Sequence, residues 1–133
     1  MAFAGAVFQW DLFWADLNPA VGREQSGDSR PVLIVSNDGF NRAFDVVTVL
    51  PITKLAGKKR QVYPFEVLFP ARSGGNDLDS IIMPQQIRTI SKTRLLEKIG
   101  TLKDSALRTA VEDRILDHLG ISLDEDPAQL ITP

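Results

Sequence analysis

The residue types in this chain restrict the chemistry that it can perform. Its 133 residues include no Cys and a single His, which excludes disulfides, thiolate nucleophiles and multi-histidine metal sites. Chemistry must therefore come from Arg, Lys, carboxylate, hydroxyl or amide groups, and we expect no metal and no other cofactor. The one His, His118, lies near the C-terminal end of a predicted helix, where the helix dipole stabilises a cationic imidazole, and we interpret it as structural.

Arg30 is the first candidate for a chemical role. The following residue, Pro31, disfavours helical geometry, so Arg30 is predicted to lie extended where a polar loop meets a strand. A guanidinium held in this way can donate two parallel hydrogen bonds to phosphoryl oxygens as charge builds up on them. Taken alone, the residue also fits an ordinary surface Arg paired with Asp28.

The distribution of charge indicates where an anionic ligand would bind. The net charge of −2 argues against a protein that coats nucleic acid non-specifically. Residues 23–60 carry seven basic and four acidic residues, a net charge of +3, whereas residues 61–133 carry eight basic and eleven acidic residues, a net charge of −3. An anion would therefore be drawn to the middle third of the chain. The apolar residues 1–8 lack a basic region and are soon followed by Asp11, so we expect neither a signal peptide nor a membrane span, and a cytoplasmic location.

Hydrophobic patterning predicts short strands over most of the chain. The predicted strands cover residues 8–17, 32–35, 46–50 and 62–69, and a fifth combines 81–83 with 87–90 around an interruption at Pro84. Residues 20–29 have turn chemistry and no apolar face, which predicts a long loop. A short helical turn is predicted over residues 39–44, and Thr53 is expected just past the end of the third strand, at a sheet edge.

The hydrophobic period changes after Lys103 and predicts one late helix. Leu107, Val111, Ile115 and Leu119 recur every four residues, and Gly120 ends the pattern. We predict a mainly β fold with a C-terminal α-helix, arranged as a small SH3-like barrel of antiparallel strands, because closure removes exposed strand edges. Residues 1–120 are predicted to form a single domain and residues 121–133 a mobile tail.

Several segments resemble the MazF/PemK family of toxin endoribonucleases. Val21 to Asp38, VGREQSGDSRPVLIVSND, closely resembles the family's first loop and second strand. Further stretches agree in order and spacing: Trp10 to Leu17, Pro51-Ile52-Thr53, Gln86 to Ile90 and Glu97 to Leu102. The resemblance spans residues 10–120. It implies a PemK-like barrel that forms a homodimer, acts as an mRNA interferase on single-stranded RNA at short sequences, and is inhibited by an acidic, MazE-like antitoxin peptide in the RNA groove.

The resemblance also implies a set of catalytic residues. Arg30 and Thr53 occupy the positions of the family's catalytic Arg and Thr, while Gln86 and Glu24 match a site-lining Gln and a loop Glu. RNA cleavage without a metal uses the substrate's own 2′-OH as nucleophile and leaves 2′,3′-cyclic phosphate and 5′-OH ends, so the protein supplies proton transfer and charge stabilisation. Each residue also has a structural interpretation: Thr53 as a backbone cap at a strand end, Gln86 as a partner for buried backbone, and Glu24 as a solvated loop charge.

Substrate binding is predicted to come from basic and aromatic side chains. We expect the phosphates to be contacted by Arg23, Lys54, Lys58, Lys59 and Arg60. Phe40 and Phe44 are candidates for base stacking, although both could instead be core residues of the short helix. The alternative function is a non-catalytic toxin or RNA-binding module, since gyrase-poisoning toxins of the CcdB type share this fold class. The presence of Arg30 together with Thr53 favours the enzyme.

Overall fold

Strands dominate the chain because its apolar residues come in short, β-branched runs separated by Pro, Gly and Asn. The computed structural model describes residues 2–55 and 61–123. Its strands are β1 (Asp11–Ala15), β2 (Arg30–Ile34), β3 (Val46–Lys54), β4 (Val67–Phe69), β5 (Ser80–Ile82), β6 (Arg88–Ser91) and β7 (Leu95–Thr101). The helices are α1 (Asp38–Ala43) and α2 (Ser105–Leu119), and 3-10 turns cover Pro84–Gln86 and Lys92–Arg94.

The long strand β3 is the centre of the sheet. The strands are ordered β4-β5-β3-β2-β1-β7, and β6 also pairs with β3. One edge of β3 pairs with β2, while its other edge pairs first with β6 and then with β5, all antiparallel. Within the described residues no ladder joins β4 to β7, so backbone hydrogen bonds do not close the barrel into a ring. The predicted class, mainly antiparallel β with a C-terminal helix, is confirmed.

Alternation along the strands sends apolar side chains to both faces of the sheet. One core cluster contains Phe13, Val32 and Val49, and the other contains their neighbours Leu12, Leu33 and Leu50. Burial of these side chains in two clusters supplies the main driving force for folding.

Helix α2 covers the second of these clusters. Its residues Leu107 and Ile115 pack there around the fully buried Val111. The carboxylate of Asp104 caps the first turn, and Gly120 ends the helix with φ of 69°. Leu119 was predicted on the buried face but is 53% exposed, because it lies in the last turn, beyond the residues that pack on the sheet.

Several predicted strands differ in extent from the observed ones. The prediction for residues 62–69 is wrong before Val67, because Glu66 N–H donates to the Tyr63 carbonyl at 2.9 Å and closes a turn. The predicted fifth strand is two strands, β5 and β6, since the 3-10 turn that begins at Pro84 separates them. The first strand starts at Asp11 because Trp10 has φ of 76° and interrupts the extended chain.

Two further differences concern β7 and the position of Thr53. Strand β7 was not predicted, because Glu97 and Lys98 interrupt its apolar pattern with exposed charges. Thr53 lies inside β3, which continues through Pro51 to Lys54, and not past the strand end. Residues 121–123 of the predicted tail have no helix or strand, and residues 124–133 lie outside the described residues. In the described ranges, neither α1 nor α2 has the length and apolarity needed to cross a membrane.

Candidate active site

Strands β2 and β3 bring Arg30 and Thr53 to the same end of the sheet. Val32 faces Pro51 in the antiparallel pairing, and Arg30 and Thr53 each lie two residues beyond this pair on their own strands. Because side chains alternate along a strand, both project from the face that carries Val32 and Pro51. Thr53 is 3% exposed and Arg30 is half-buried, so the hydroxyl is deep in the site and the guanidinium is nearer to solvent.

The Arg30 guanidinium is held by the loop that precedes it. The Gln25 amide, in the orientation that satisfies both side chains, turns its oxygen to the guanidinium and accepts hydrogen bonds from Nε at 2.9 Å and from Nη2. Among the described residues no ion pair joins Arg30 to Asp28. The alternative interpretation of Arg30 as the partner of Asp28 is therefore not what the structure shows.

Gly27 provides the surface on which the Arg30 side chain lies. Its φ is +134°, and a Cβ at this position would lie 2.5 Å from Arg30 Cδ and 3.3 Å from Nε. Only glycine adopts this backbone conformation without strain and also leaves room for the Arg side chain. The conformation of Arg30 thus depends on a position where no side chain is tolerated.

The loop of residues 18–29 is closed at its base by hydrogen bonds. Leu17 N–H donates to the Gly27 carbonyl at 2.8 Å, and Gly27 N–H donates to Asn18 Oδ1 at 3.1 Å. The Arg94 guanidinium also donates to the carbonyls of Asp16, at 3.1 Å, and of Asn18. These contacts fix the loop to β1 and to the 3-10 turn before β7.

Gln86 anchors the middle of the same loop. Its Oε1 accepts a hydrogen bond from Gln25 N–H at 3.2 Å, and its Nε2 donates to the Arg23 carbonyl at 3.0 Å. Both ends of the amide are therefore engaged with loop backbone. Gln86 thus bonds to backbone groups, as its structural interpretation predicts, and it connects the loop to the 3-10 turn Pro84–Gln86.

The charged side chains of the loop point to solvent. Arg23 and Glu24 are both exposed, and Arg30 is contacted by Gln25 rather than by its neighbour Glu24. Gln25, and not Glu24, therefore holds the Arg30 guanidinium. Arg23 and Glu24 are thus exposed on the loop that holds Arg30.

Other predicted residues lie away from the Arg30 face. Lys54 follows Thr53 on β3 and so projects from the opposite face, where it lines a cleft of about 300 Å³ together with Trp14 and Pro31. Phe40 and Phe44 stack on each other at the end of α1, with ring centroids 5.0 Å apart, beyond the end of β2 opposite to Arg30. Lys58, Lys59 and Arg60 lie outside the described residues.

Gln25 and Gly27 were not predicted as members of the site. Both lie inside the resembling segment, yet a polar residue and a glycine are ordinary loop residues. Their roles depend on how the loop is closed, and one of the closing residues is 61 positions away in sequence. A glycine three residues before an Arg–Pro pair is the one local signal, and it is a weak one.

Comparison with known proteins places this chain in a family. Residues 8–119 match PemK-like, MazF-like toxins of type II toxin-antitoxin systems. Endoribonuclease EndoA of Bacillus subtilis (strain 168) is 41% identical over 117 residues, covering 88% of this chain and 94% of the relative. Endoribonuclease MazF9 of Mycobacterium tuberculosis (strain ATCC 25618 / H37Rv) is 37% identical over 116 residues, covering 84% and 94%.

A solved structure has the same fold. It is an endoribonuclease in complex with its cognate antitoxin, from a mycobacterial species, and it matches with a TM-score of 0.69 at 22% identity, covering 88% of this chain and 98% of its own. The chain thus belongs to the family of PemK-like, MazF-like toxins of type II toxin-antitoxin systems.

Proposed function

We propose that this toxin is an endoribonuclease that cuts single-stranded RNA without a metal, with Arg30 and Thr53 as its central residues. The observation that carries the proposal is the fixed guanidinium of Arg30, held by Gln25 at the sheet end where Thr53 projects from the same face. The two relatives named as endoribonucleases, at 41% and 37% identity, support the activity.

The chemistry requires few protein groups. The 2′-OH of one nucleotide attacks the adjacent phosphorus, the bond from phosphorus to the 5′-oxygen breaks, and a 2′,3′-cyclic phosphate and a 5′-OH end result. Negative charge builds up on the phosphoryl oxygens during attack, and Arg30 stabilises it with charge-assisted hydrogen bonds from a preorganised position. The Thr53 hydroxyl donates to a phosphate oxygen or orients the 2′-OH.

Proton transfer is assigned to the rim of the same site. Glu24 is the exposed carboxylate next to Gln25 on the loop, and it can take the proton of the 2′-OH once RNA covers the loop, while the departing 5′-oxygen takes a proton from solvent water. Arg23, exposed one residue earlier, contacts a substrate phosphate. Gln86 contributes by holding the backbone on both sides of Glu24, at Arg23 and at Gln25.

The partners follow from the charge distribution and the family. An acidic antitoxin segment binds the basic middle third of the chain, over the surface that takes RNA, and so inhibits cleavage. A relative in fold, an endoribonuclease from a mycobacterial species, is solved in complex with its cognate antitoxin. We further propose a cytoplasmic homodimer, in which a second copy covers exposed strand edges.

The test is an analysis of RNA ends after incubation with the purified toxin. We expect new 5′-OH ends, detected by labelling with polynucleotide kinase without prior phosphatase treatment, and matching 2′,3′-cyclic phosphates. A protein that binds RNA and generates no new ends is the non-catalytic alternative. New 5′-phosphate ends would show that the nucleophile is water and that the mechanism is wrong.

A further inference from the structure

A second stacked aromatic pair lies on the turn before β4. The rings of Tyr63 and Phe65 are 5.2 Å apart between centroids and within 11° of parallel. Their exposed fractions are 47% and 43%. Large aromatic side chains are normally buried, so two exposed rings on one short turn indicate a binding surface.

The turn that carries these rings is held rigidly by Glu66. The Glu66 side chain is buried, with 4% of the residue exposed, and its Oε1 accepts from Tyr63 N–H at 3.1 Å. In return, Glu66 N–H donates to the Tyr63 carbonyl at 2.9 Å. The remaining carboxylate oxygen, Oε2, accepts from Gln85 Nε2 at 2.7 Å. The rings are thus fixed to the 3-10 turn Pro84–Gln86.

The same 3-10 turn also holds the loop of residues 18–29 that precedes Arg30. Gln85 holds Glu66, whereas the next residue, Gln86, holds the backbone of Arg23 and Gln25. Two adjacent glutamines therefore connect the turn of residues 63–66 and the loop of residues 18–29 to one short element. Strand pairing gives a second connection, since Val67 pairs with Ile82, and Ile82 pairs with Ile52, the neighbour of Thr53.

We propose that Tyr63 and Phe65 form a base-stacking platform for one unpaired nucleotide of the RNA substrate. This inference rests on the proposed function and names a specific contact of that site. A base laid on the outer face of the Phe65 ring would extend the existing stack, and such stacking accepts any base. The turn that carries the platform leads into β4, which pairs with β5, and is bonded to the 3-10 turn Pro84–Gln86. The pair Phe40 and Phe44 instead follows the Ile34 end of β2, and Arg30 is at the other end of that strand.

A nucleotide fits this surface better than a protein partner does. Two rings on a four-residue turn offer the area of a single base, whereas a stable protein interface covers roughly 800 Å² on each side. The connection to the loop of residues 18–29 also suits a nuclease. A base held at a fixed distance from Arg30 determines which phosphate lies at the site of cleavage. A second copy of the chain is the alternative occupant.

The experiment uses 2′-O-methyl oligoribonucleotides, which lack the attacking hydroxyl, with 2-aminopurine placed at one position after another. Stacking on an aromatic ring quenches 2-aminopurine fluorescence. The intact toxin should quench the probe at one preferred position. Tyr63→Leu/Phe65→Leu should lose this quenching and bind the oligonucleotides about 10- to 100-fold more weakly. Tyr63→Trp, which keeps a ring, should retain both.

The matched control is Phe8→Leu, which removes another exposed ring, 50% exposed, outside the proposed site, and should change neither quenching nor affinity. Far-UV dichroism and light scattering on every variant report fold and assembly. Quenching and affinity that survive in Tyr63→Leu/Phe65→Leu would overturn the platform, as would a variant that binds RNA normally but loses its dimer. If the double variant does not fold, loss of position-specific quenching in Tyr63→Leu and its retention in Tyr63→Trp decide the question.

Cleavage of unmodified RNA by the intact toxin separates this inference from the proposed function. Position-specific quenching without cleavage would uphold the platform and reject the catalytic assignment. Cleavage with no quenching at any position would reject the platform and leave the catalytic assignment standing.

Discussion

The side chain of Gln86 accepts a hydrogen bond from the backbone N–H of Gln25 at 3.2 Å, and the side chain of Gln25 in turn accepts from the guanidinium of Arg30. Three polar residues thus form a chain from a 3-10 turn to the proposed catalytic group. None of the links is an ion pair. The orientation of Arg30 therefore depends on amide geometry, and substitutions at each link should affect cleavage to different degrees.

Replacing Gln86 with Ala should loosen the loop and slow cleavage. Both hydrogen bonds to loop backbone are lost, so we expect faster hydrogen exchange at the Gln25 amide together with a rate about 10-fold lower. Gln86→Glu, which keeps an acceptor for Gln25 N–H and loses the donor to the Arg23 carbonyl, should be intermediate. A slower enzyme with unchanged exchange in the loop would mean that Gln86 touches the substrate directly.

Replacing Gln25 with Leu should misplace Arg30 and leave the loop closed. A hydrogen bond to a charged group contributes about 1.5–3 kcal/mol, which corresponds to a loss of roughly 10- to 100-fold in kcat/KM for RNA cleavage. Gln25→Glu retains an acceptor for the guanidinium and should recover most of the rate. If Leu and Glu at position 25 behave alike, the contact with Arg30 has no catalytic role.

Replacing Gly27 with Ala should displace the Arg30 side chain, because the new Cβ would lie 2.5 Å from Arg30 Cδ at φ of +134°. A misplacement of about 1 Å can cost 100-fold in rate, so we expect a loss of that order. Gly22→Ala is the matched control, since Gly22 also has a positive φ, of +60°, but a Cβ there meets no heavy atom within 4 Å.

Thermal melting gives the folded fraction of each glycine variant. Cleavage rates compared at equal folded fractions then separate the steric effect at Gly27 from a loss of stability caused by backbone strain. Similar activities in the two glycine variants would contradict the steric argument.

Chelation should leave cleavage unchanged. The chain has no Cys and one His, and within the described residues no three His, Asp or Glu side chains cluster closely enough to hold a metal ion. We expect equal rates before and after dialysis against EDTA. A rate that falls on chelation and returns with added magnesium or zinc would overturn the proposed chemistry.

The sequence predicted the fold class because the hydrophobic period is local information. Short apolar runs around Leu33 and Leu50 indicate strands, and the four-residue spacing of Leu107, Val111 and Ile115 indicates a helix. The turn at residues 63–66 could not be predicted in this way. Its closure depends on a buried carboxylate, Glu66, that accepts hydrogen bonds from Tyr63 N–H and from Gln85 in another part of the chain.

Only part of the candidate site could be predicted from the sequence, because only part of it is encoded in local segments. Arg30 and Thr53 lie in short segments that carry the family resemblance, and strand pairing brings them to one end of the sheet. Gln25 was missed because its contact with Arg30 exists only once the loop is closed by Leu17 and anchored by Gln86. Such contacts are set by tertiary structure and leave no periodic signal in the sequence.

The most direct test of this account compares RNA cleavage by the toxin and by Arg30→Ala. Removing one preorganised donor from a transition-state oxyanion site costs about 100- to 1,000-fold in rate, and we expect that loss with the far-UV dichroism unchanged. Arg42→Ala is the matched control, because Arg42 is an exposed Arg in the last turn of α1, beyond the opposite end of β2. We expect normal formation of 5′-OH ends by Arg42→Ala and near-complete loss in Arg30→Ala. Cleavage by a folded Arg30→Ala variant within tenfold of the parent rate would contradict this expectation.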